Sequence, residues 1–387
     1  GKLGVEYSTE YGLWSADHHV LRSRGQYDFD PAWGPGADQV ETKTSQSRVG
    51  WALDGDKASQ KLSISENQTE DLNWGEDSPA SLFATKRQEL DYQYSRALSR
   101  SFTALTGVNW YQEDVSDSDV AYEVDSRINK AVFAGVSYQS GVWLADVTGR
   151  HDKQSQYGHS NTYELGLGYQ LSNELLLRAS RSSAFKAPSF NDLYYPSGGN
   201  KELTPETATS NELGIKYQAG DVQIESSVYQ QKVNNLIQWA PAEDGNWVPQ
   251  NVGEAEIKGA EFSISQSWQQ LHQQLAYSYT DAKDETTNQP LIKRSKHTVH
   301  WQGAYQWQDW RLFVTSDYQS DFQTGDFATP QLGGYTLWGA GVSYQLSSEL
   351  QIAAKADNLT NKDYLYLPGY ATAGAEWSVR LHWTPDF

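Results

Sequence analysis

The sequence predicts an all-β protein, an antiparallel barrel whose strands follow one another and cross a membrane. Three observations lead to this prediction. Many segments alternate apolar and polar residues, the connections between them alternate between short and long, and a chain of mean hydropathy −0.70 contains 13% aromatic residues. Alternation with period two is typical of strands, and aromatic girdles around a polar interior are typical of transmembrane barrels.

Residues 163–171 show the alternation in its simplest form. Their odd positions are Tyr or Leu, whereas their even positions are Glu, Gly or Gln. Similar patterns recur at 213–217, 350–357 and 377–383. No segment shows a convincing helical period, so we expect strands nearly throughout.

The connections favour a transmembrane barrel over a soluble sandwich. A sandwich has no reason to alternate short and long connections, whereas an outer-membrane barrel has tight periplasmic turns and long extracellular loops. We count about nineteen strands, within a range of 18 to 20, and residues 1–43 are ambiguous: 2–14 and 17–27 resemble strands joined by an abrupt turn. Short turns are predicted at 54–57, 98–101, 139–141, 171–173, 219–221, 267–270, 306–309 and 346–348, and long connections at 73–86, 114–120, 153–160, 185–209, 239–254, 283–292, 320–331 and 360–373.

Composition excludes several classes of protein. No run approaches the roughly 18 apolar residues of a membrane helix, and the absence of Cys excludes disulfides and thiolate metal sites. The net charge of −19 argues against nucleic acid as a partner. Because position 1 is Gly and the chain contains no Met, we expect a segment to precede residue 1 in the precursor.

A long Pro- and Gly-rich connection at 185–209 carries the most specific pattern in the chain. Three prolines at 188, 196 and 205 prevent a regular strand or helix there. The stretch resembles the "F-R/K-A-P-x-x-x-x-L-Y … N-x-x-L-x-P-E" signature of TonB-dependent outer-membrane receptors. The matching residues are Phe185, Lys186, Ala187, Pro188, Leu193, Tyr194, Pro205 and Glu206.

Two further stretches are similar to segments of the same family. Residues 251–261, with Asn251, Gly259 and Glu261, resemble the family's "N-x-G-x-A-x-I-x-G-x-E", and Asn358 to Tyr364 resemble "N-L-F-D-K-D-Y". The final aromatic, Phe387, is similar to the terminal signal that the barrel assembly machinery recognises. The resemblance implies a barrel of 22 strands in the cell outer membrane, in contact with lipid and lipopolysaccharide.

Residues 27–38, 290–297 and 369–377 resemble the cobalamin receptors of this family. That resemblance implies calcium on outer-loop aspartates at Asp28 and Asp38, with Asp30 as a helper. Calcium prefers carboxylate and carbonyl oxygens, which fits these residues. The alternative is a solvated acidic loop, and no segment here matches the preceding loop that supplies the family's other calcium carboxylates.

Five residues are candidates for contact with the ligand. Lys293 and Arg294 are predicted at the outer end of a strand. The resemblance implies that they reach the lumen or the ligand, and the alternative is that they pair with surface phosphate or carboxylate. Trp239, Tyr364 and Tyr370 would stack on a flat corrin ring, although most aromatics should belong to the interface belts. Catalysis is not expected, because the adjacent pairs His18-His19 and His151-Asp152 point to opposite faces of a strand.

The function that the resemblance implies is the uptake of cobalamin at the extracellular face. Residues 1–387 are predicted to form the barrel domain, and no segment resembles the plug through which TonB acts on these receptors. Two alternatives remain: a receptor for a metal chelate, such as an iron siderophore or haem, and a passive pore without a plug.

Overall fold

The computed structural model describes residues 1–26, 38–76, 78–196, 198–241, 247–325, 330–368 and 370–384. These residues form twenty-one strands and one short helix. The strands are β1 Lys2–Thr9, β2 Gly12–Gln26, β3 Gln39–Asp54, β4 Ala58–Gly75, β5 Ser78–Ala97, β6 Phe102–Asp114, β7 Ser126–Ser140, β8 Trp143–Gln154, β9 Gly158–Gln170, β10 Leu175–Lys186, β11 Glu206–Ala219, β12 Val222–Pro241, β13 Trp247–Trp268, β14 Leu271–Asp284, β15 His297–Trp307, β16 Trp310–Gln319, β17 Phe322–Gln323, β18 Gln331–Leu332, β19 Tyr335–Gln345, β20 Leu350–Asp357 and β21 Glu376–Trp383; the helix is α1 Phe190–Tyr194.

Within the described ranges, nineteen strands join one sheet and β17 and β18 form a separate hairpin. Strands that follow one another in the chain pair antiparallel from β1 to β8 and from β13 to β16; β16 pairs with β19, and the series ends at β21. The prediction of about nineteen strands is confirmed. Among the described residues, no helix is long and apolar enough to cross a membrane.

The chain divides into two compact units. The first contains 1–167, 181–209 and 233–254, which include strands β1 to β8 and helix α1. The second contains 168–180, 210–232 and 255–387, which include β14 to β21. Strands β9 to β13 contribute residues to both units.

The sheet has an apolar face and a polar face, because side chains alternate along each strand. On the apolar face, Leu165 and Leu167 are 42% and 49% exposed and Val132 is 55% exposed. On the polar face, Asn129 and Asp152 are each only 1% exposed. Exposed apolar and buried polar side chains invert the pattern of a water-soluble protein, so the apolar face is the one that contacts lipid.

The first turn differs from the prediction. Strand β1 ends at Thr9 and β2 begins at Gly12, whereas the sequence pattern placed the turn near residue 15. Gly12 has a φ of 119°, and the Thr9 hydroxyl accepts a hydrogen bond from the Tyr11 amide (3.2 Å) and donates to the Gly12 carbonyl (3.0 Å). A glycine at positive φ was the available signal for this turn.

Three predicted long connections, 73–86, 153–160 and 239–254, are mostly strand. Strand β4 continues to Gly75 and β5 begins at Ser78, while β8 and β9 are separated only by 155–157. The sequences of these segments lack a regular period-two contrast, so the pattern did not mark them as strands. Helix α1 was also missed, because five residues are too few to show a helical period.

Candidate functional site: the long-loop end

Helix α1 organises the connection between β10 and β11. Ser189 caps it: the hydroxyl accepts from the Asp192 amide (3.1 Å), and the Asp192 carboxylate accepts from the Ser189 amide (2.9 Å). This capping box satisfies amides that a short helix leaves unpaired. Phe190 and Leu193 are buried, at 7% and 3% exposure, so the segment packs as a small satellite core.

Arg127 on β7 attaches this helical segment to the sheet. Its guanidinium donates to the Pro188 carbonyl (2.7 Å) and to the Glu113 carboxylate on β6 (2.5 Å), and it lies 4.7 Å from the centre of the Phe190 ring. Tyr122, in the connection between β6 and β7, also bonds to Asn191. One half-buried arginine therefore joins α1 to the polar face.

The polar face below Arg127 carries a continuous network of paired charges. Arg87 bonds to Glu89 (3.0 Å) and Glu113 (3.3 Å), and Asn109 donates to Glu89 (2.7 Å). The network continues on β8, where the Arg150 guanidinium donates to both Asp152 carboxylate oxygens at 2.8 Å. The Asn129 side-chain amide on β7 also donates to Asp152, at 2.8 Å. Sequence analysis missed this network, because its members lie on four strands and share no local spacing.

The two family-like stretches within the first unit meet at Asn251. Its side-chain amide accepts from the Thr204 amide (2.9 Å) and donates to the carbonyls of Thr204 (3.0 Å) and Asn235 (2.8 Å). The Asn251 side chain thus supplies hydrogen bonds to the backbone of the Pro-rich connection 185–209, in place of a neighbouring strand. Asn200 adds a bond to the Pro249 carbonyl (3.0 Å).

Glu206 is the buried acidic residue of the motif, at 8% exposure. Its carboxylate accepts from the Ile237 amide (2.9 Å) and lies 3.5 Å from the Lys186 ammonium, which is exposed. Pro188 is fully buried, whereas Phe185, Ala187, Tyr194 and Pro205 are partly exposed. In this geometry the motif residues make contacts within the protein.

In the second unit, Asn358 and Tyr364 belong to the connection between β20 and β21. Asn358 is 5% exposed, and its side chain bonds to the Lys362 amide (2.8 Å) and carbonyl (2.9 Å). Tyr364 packs against Tyr335 and Tyr366, with ring centroids 4.7 and 5.2 Å apart. A hydrogen bond to Tyr366, together with burial, raises the pKa of Tyr364 to about 12.

Gly259 and Glu261 lie on β13, also in the second unit. A Cβ at Gly259 would collide with the ring of Tyr229, so the glycine makes room for a cross-strand aromatic. Glu261 lines a polar cavity of about 260 Å³ with Arg178, Glu212 and Glu225. This cluster was not predicted either.

The structure corrects the position of Lys293 and Arg294. Lys293 lies in a turn and Arg294 directly after it, four and three residues before β15 begins at His297, and neither is at the end of a strand. Lys293 has a φ of 58° and donates its amide to Gln323 (2.6 Å), so the turn is held against the β17–β18 hairpin. Both side chains are exposed.

The remaining aromatic candidates lie in different units. Trp239 on β12 is 42% exposed and rests on Gly198 in the first unit, whereas Tyr370 is 40% exposed in the second. Among the described residues, no hydrogen bond, ion pair or ring contact joins Tyr364 or Tyr370 to Lys293 or Arg294. Their joint contact with a ligand therefore stays a prediction.

Of the three predicted calcium ligands, only Asp38 is described. It is exposed, and its amide donates to the Trp74 carbonyl (3.0 Å). Asp28, Asp30 and Phe387 lie outside the described residues. In the described part of the chain, no group of three or more His, Cys, Asp and Glu residues is placed to hold a metal ion.

An antiparallel sheet with a lipid-contacting apolar face and elaborated loops at one end defines a β-barrel protein of the outer membrane. The family profile described as "TonB dependent receptor-like, beta-barrel" matches residues 2–359. The chain belongs to this family, which confirms the resemblance seen in the motifs.

Individual relatives agree with this assignment. The chain is 32% identical over 367 residues to the vitamin B12 transporter of Photobacterium profundum, covering 92% of this chain and 60% of that protein. It is 32% identical over 289 residues to the vitamin B12 transporter of Vibrio cholerae serotype O1, El Tor Inaba, covering 72% and 46%. The chain thus spans about half of the length of these relatives.

Solved structures show the same fold at low identity. A ferric enterobactin receptor from Pseudomonas aeruginosa superposes with a TM-score of 0.85 at 17% identity, covering 99% of this chain and 69% of the other. The FrpB iron transporter from Neisseria meningitidis gives a TM-score of 0.82 at 12% identity, covering 99% and 70%. At these identities the likeness concerns the fold alone.

Proposed function

We propose that this chain is the barrel of a TonB-dependent transporter that takes up cobalamin at the extracellular face. The observation that carries the proposal is the 32% identity to a vitamin B12 transporter over 92% of this chain. Transport would also require a plug domain that contacts TonB, as the family resemblance implies. The iron-receptor superpositions do not compete with this proposal, because their identities of 12% and 17% speak only for the fold.

Each unit carries exposed groups whose chemistry would suit a large, flat, amphipathic ligand. Tyr370 and Trp239 present partly exposed rings, and Lys293 and Arg294 present exposed cations. Aromatic faces bind planar ligands by stacking, and cations bind their amide and phosphate oxygens. The Lys293 amide donates to the Gln323 carbonyl and the Tyr370 amide to the Leu367 carbonyl, so both connections are held within the protein.

The test is saturable binding to outer membranes that contain the full-length protein. Labelled cyanocobalamin should bind and be displaced by unlabelled cyanocobalamin, and ferric enterobactin should not displace it. Saturable binding of ferric chelates, with no saturable binding of cyanocobalamin, would replace cobalamin with a siderophore as the ligand. Steady ion conductance without any saturable binding would favour a passive pore and overturn the proposal.

We also propose that calcium supports this binding through Asp28, Asp30 and Asp38. The support is the residue type, since three aspartates within eleven positions offer the oxygen ligands that calcium prefers. Calcium should strengthen cyanocobalamin binding to the unmodified protein, and Asp38→Asn should weaken that effect about fivefold or more, as expected when one charged ligand is lost. Asp56→Asn, an exposed aspartate in the turn between β3 and β4, is the matched control; an equal loss in both variants would contradict the assignment.

A further inference from the structure

Two lysines face each other on the apolar face of β7 and β8. Lys130 and Lys153 are direct cross-strand partners, and both are exposed. Like charges directly opposite in an antiparallel pair repel each other, because their Cβ atoms lie about 5 Å apart. Within the described ranges, neither ammonium makes an ion pair with a carboxylate. A counter-ion supplied from outside the chain would relieve this repulsion.

Two other lysines on the same face have carboxylate partners within the protein. Lys43 pairs with Glu70 at 2.9 Å, and Lys86 pairs with Glu66 at 3.3 Å. The whole chain carries a net charge of −19, so carboxylates outnumber cations and a group of cations without carboxylates is unexpected. The opposed lysines on β7 and β8 therefore differ from Lys43 on β3 and Lys86 on β5, each of which has a carboxylate partner.

Two histidines extend the lysine pair toward β9. Nδ1 of His159 lies 3.2 Å from Nε2 of His151, and the rings stack with centroids 5.1 Å apart. Nδ1 of His151 lies 2.7 Å from the Asn161 side-chain oxygen. Lys130, Lys153, His151 and His159 together form what we call the outward cationic patch.

The outward cationic patch lies at the outer edge of the lipid-contacting band. Val132, 55% exposed, is two residues below Lys130 and directly opposite His151, and Trp110 is the cross-strand partner of Lys130. Tyr138, beside the turn at the other end of β7, is eight residues from Lys130. At about 3.4 Å per residue and a tilt of about 40°, that separation spans roughly 21 Å, close to the height of a barrel's apolar band.

We propose that the outward cationic patch binds the phosphate of a lipid headgroup in the outer leaflet. Charge and position both select this occupant. Two ammonium groups and the neighbouring imidazoles can donate to several oxygens of one phosphate, and the acyl chains of the same lipid would lie along Val132 and the apolar face below it. A phosphate free in solution would not use this second, apolar part of the site.

The test measures lipid binding by the full-length protein in detergent micelles that contain lipid A with both phosphates. The double variant K130Q/K153Q should bind this lipid roughly 30-fold more weakly, as expected from the loss of two cations near a lipid surface. The double variant K43Q/K86Q is the matched control, because it removes the same charge from the same face at residues that already have carboxylate partners. It should bind like the unmodified protein.

Three other results would overturn the proposal. One is equal binding by K130Q/K153Q and the unmodified protein, with the correct fold shown by heat-dependent gel mobility. The second is unchanged affinity for the same lipid after both phosphates have been removed. The third is displacement of the lipid by an equal concentration of inorganic phosphate, which would assign the site to a soluble anion.

Discussion

Strands β7 and β8 place neighbouring residues in two different environments. Asp152 points to the polar face, is 1% exposed and is bonded to both Arg150 and Asn129. Lys153, the next residue, points to the apolar face, is exposed and lies opposite another lysine. One step along a strand therefore separates a charge that the protein neutralises from one that it leaves to its surroundings.

The difference shows where each face obtains its stability. Inside, buried charges must be paired, because an isolated charge away from water is costly. Outside, Lys153 keeps its contact with water or headgroups and needs no partner within the fold. Mutations of charged residues on the two faces should consequently change different properties. Changes on the polar face should lower stability, and changes on the apolar face should weaken lipid binding.

The largest effect is expected at Asp152. Asp152→Ala leaves Arg150 and Asn129 without their shared acceptor, and breaking such a pair should lower the free energy of unfolding by about 3 kcal/mol. Lys153→Gln is the adjacent control and should change stability by less than about 0.5 kcal/mol. Urea unfolding of the detergent-solubilised protein, followed by tryptophan fluorescence, measures both. Equal destabilisation by the two variants would remove the distinction between the faces.

A glycine on the polar face should be the next most sensitive position. A Cβ at Gly107 would collide with the Phe133 ring and lie 2.6 Å from the Tyr92 carbonyl oxygen, so Gly107→Ala should cost about 2 kcal/mol through overpacking. A Cβ at Gly149 on β8 would meet no atom within 4 Å, so Gly149→Ala is the matched control. The same unfolding experiment applies, and an unaffected Gly107→Ala protein would show that the ring moves aside freely.

Removal of Arg127 should loosen α1 locally. Arg127→Ala loses the bond to the Pro188 carbonyl and the contact with Phe190, and we expect protease cleavage between 187 and 205 to become about fivefold to tenfold faster, as for a local opening made easier by roughly 1 kcal/mol. Lys186→Gln, which loses only an exposed 3.5 Å ion pair, is the control and should be cleaved at nearly the native rate. Similar cleavage of both variants would mean that Arg127 does not hold the segment.

The smallest expected effect is a pH dependence in the loop that follows β20. The pKa of Tyr364 is about 12 in the folded protein, against an ordinary value of 10.0. Because the folded pKa is the higher one, the stabilisation is complete below pH 10 and is lost as the pH rises from 10 toward 12. Absorbance at 295 nm should show one late-titrating tyrosine fewer in Tyr364→Phe than in the native protein. An unchanged late phase would assign that phase to other tyrosines.

Particular residues show how far sequence reasoning reached. The alternation at 163–171 predicted β9 and its lipid-contacting face, and the motif residues from Phe185 to Glu206 identified the family. The same reasoning misplaced the first turn and described 73–86 as a long connection. It missed Arg127 entirely, because an arginine in an alternating strand has no local feature that marks its partners.

The sequence by itself determined the strands, the two faces and the family, because period-two alternation and a dense motif are local properties of the chain. Only the tertiary structure decided which charges are paired. The partners Glu113, Arg127 and Pro188 are far apart in sequence and are brought together by strand register, which no single segment encodes. The same register places Lys130 opposite Lys153, so the proposed lipid site also exists only in the folded sheet.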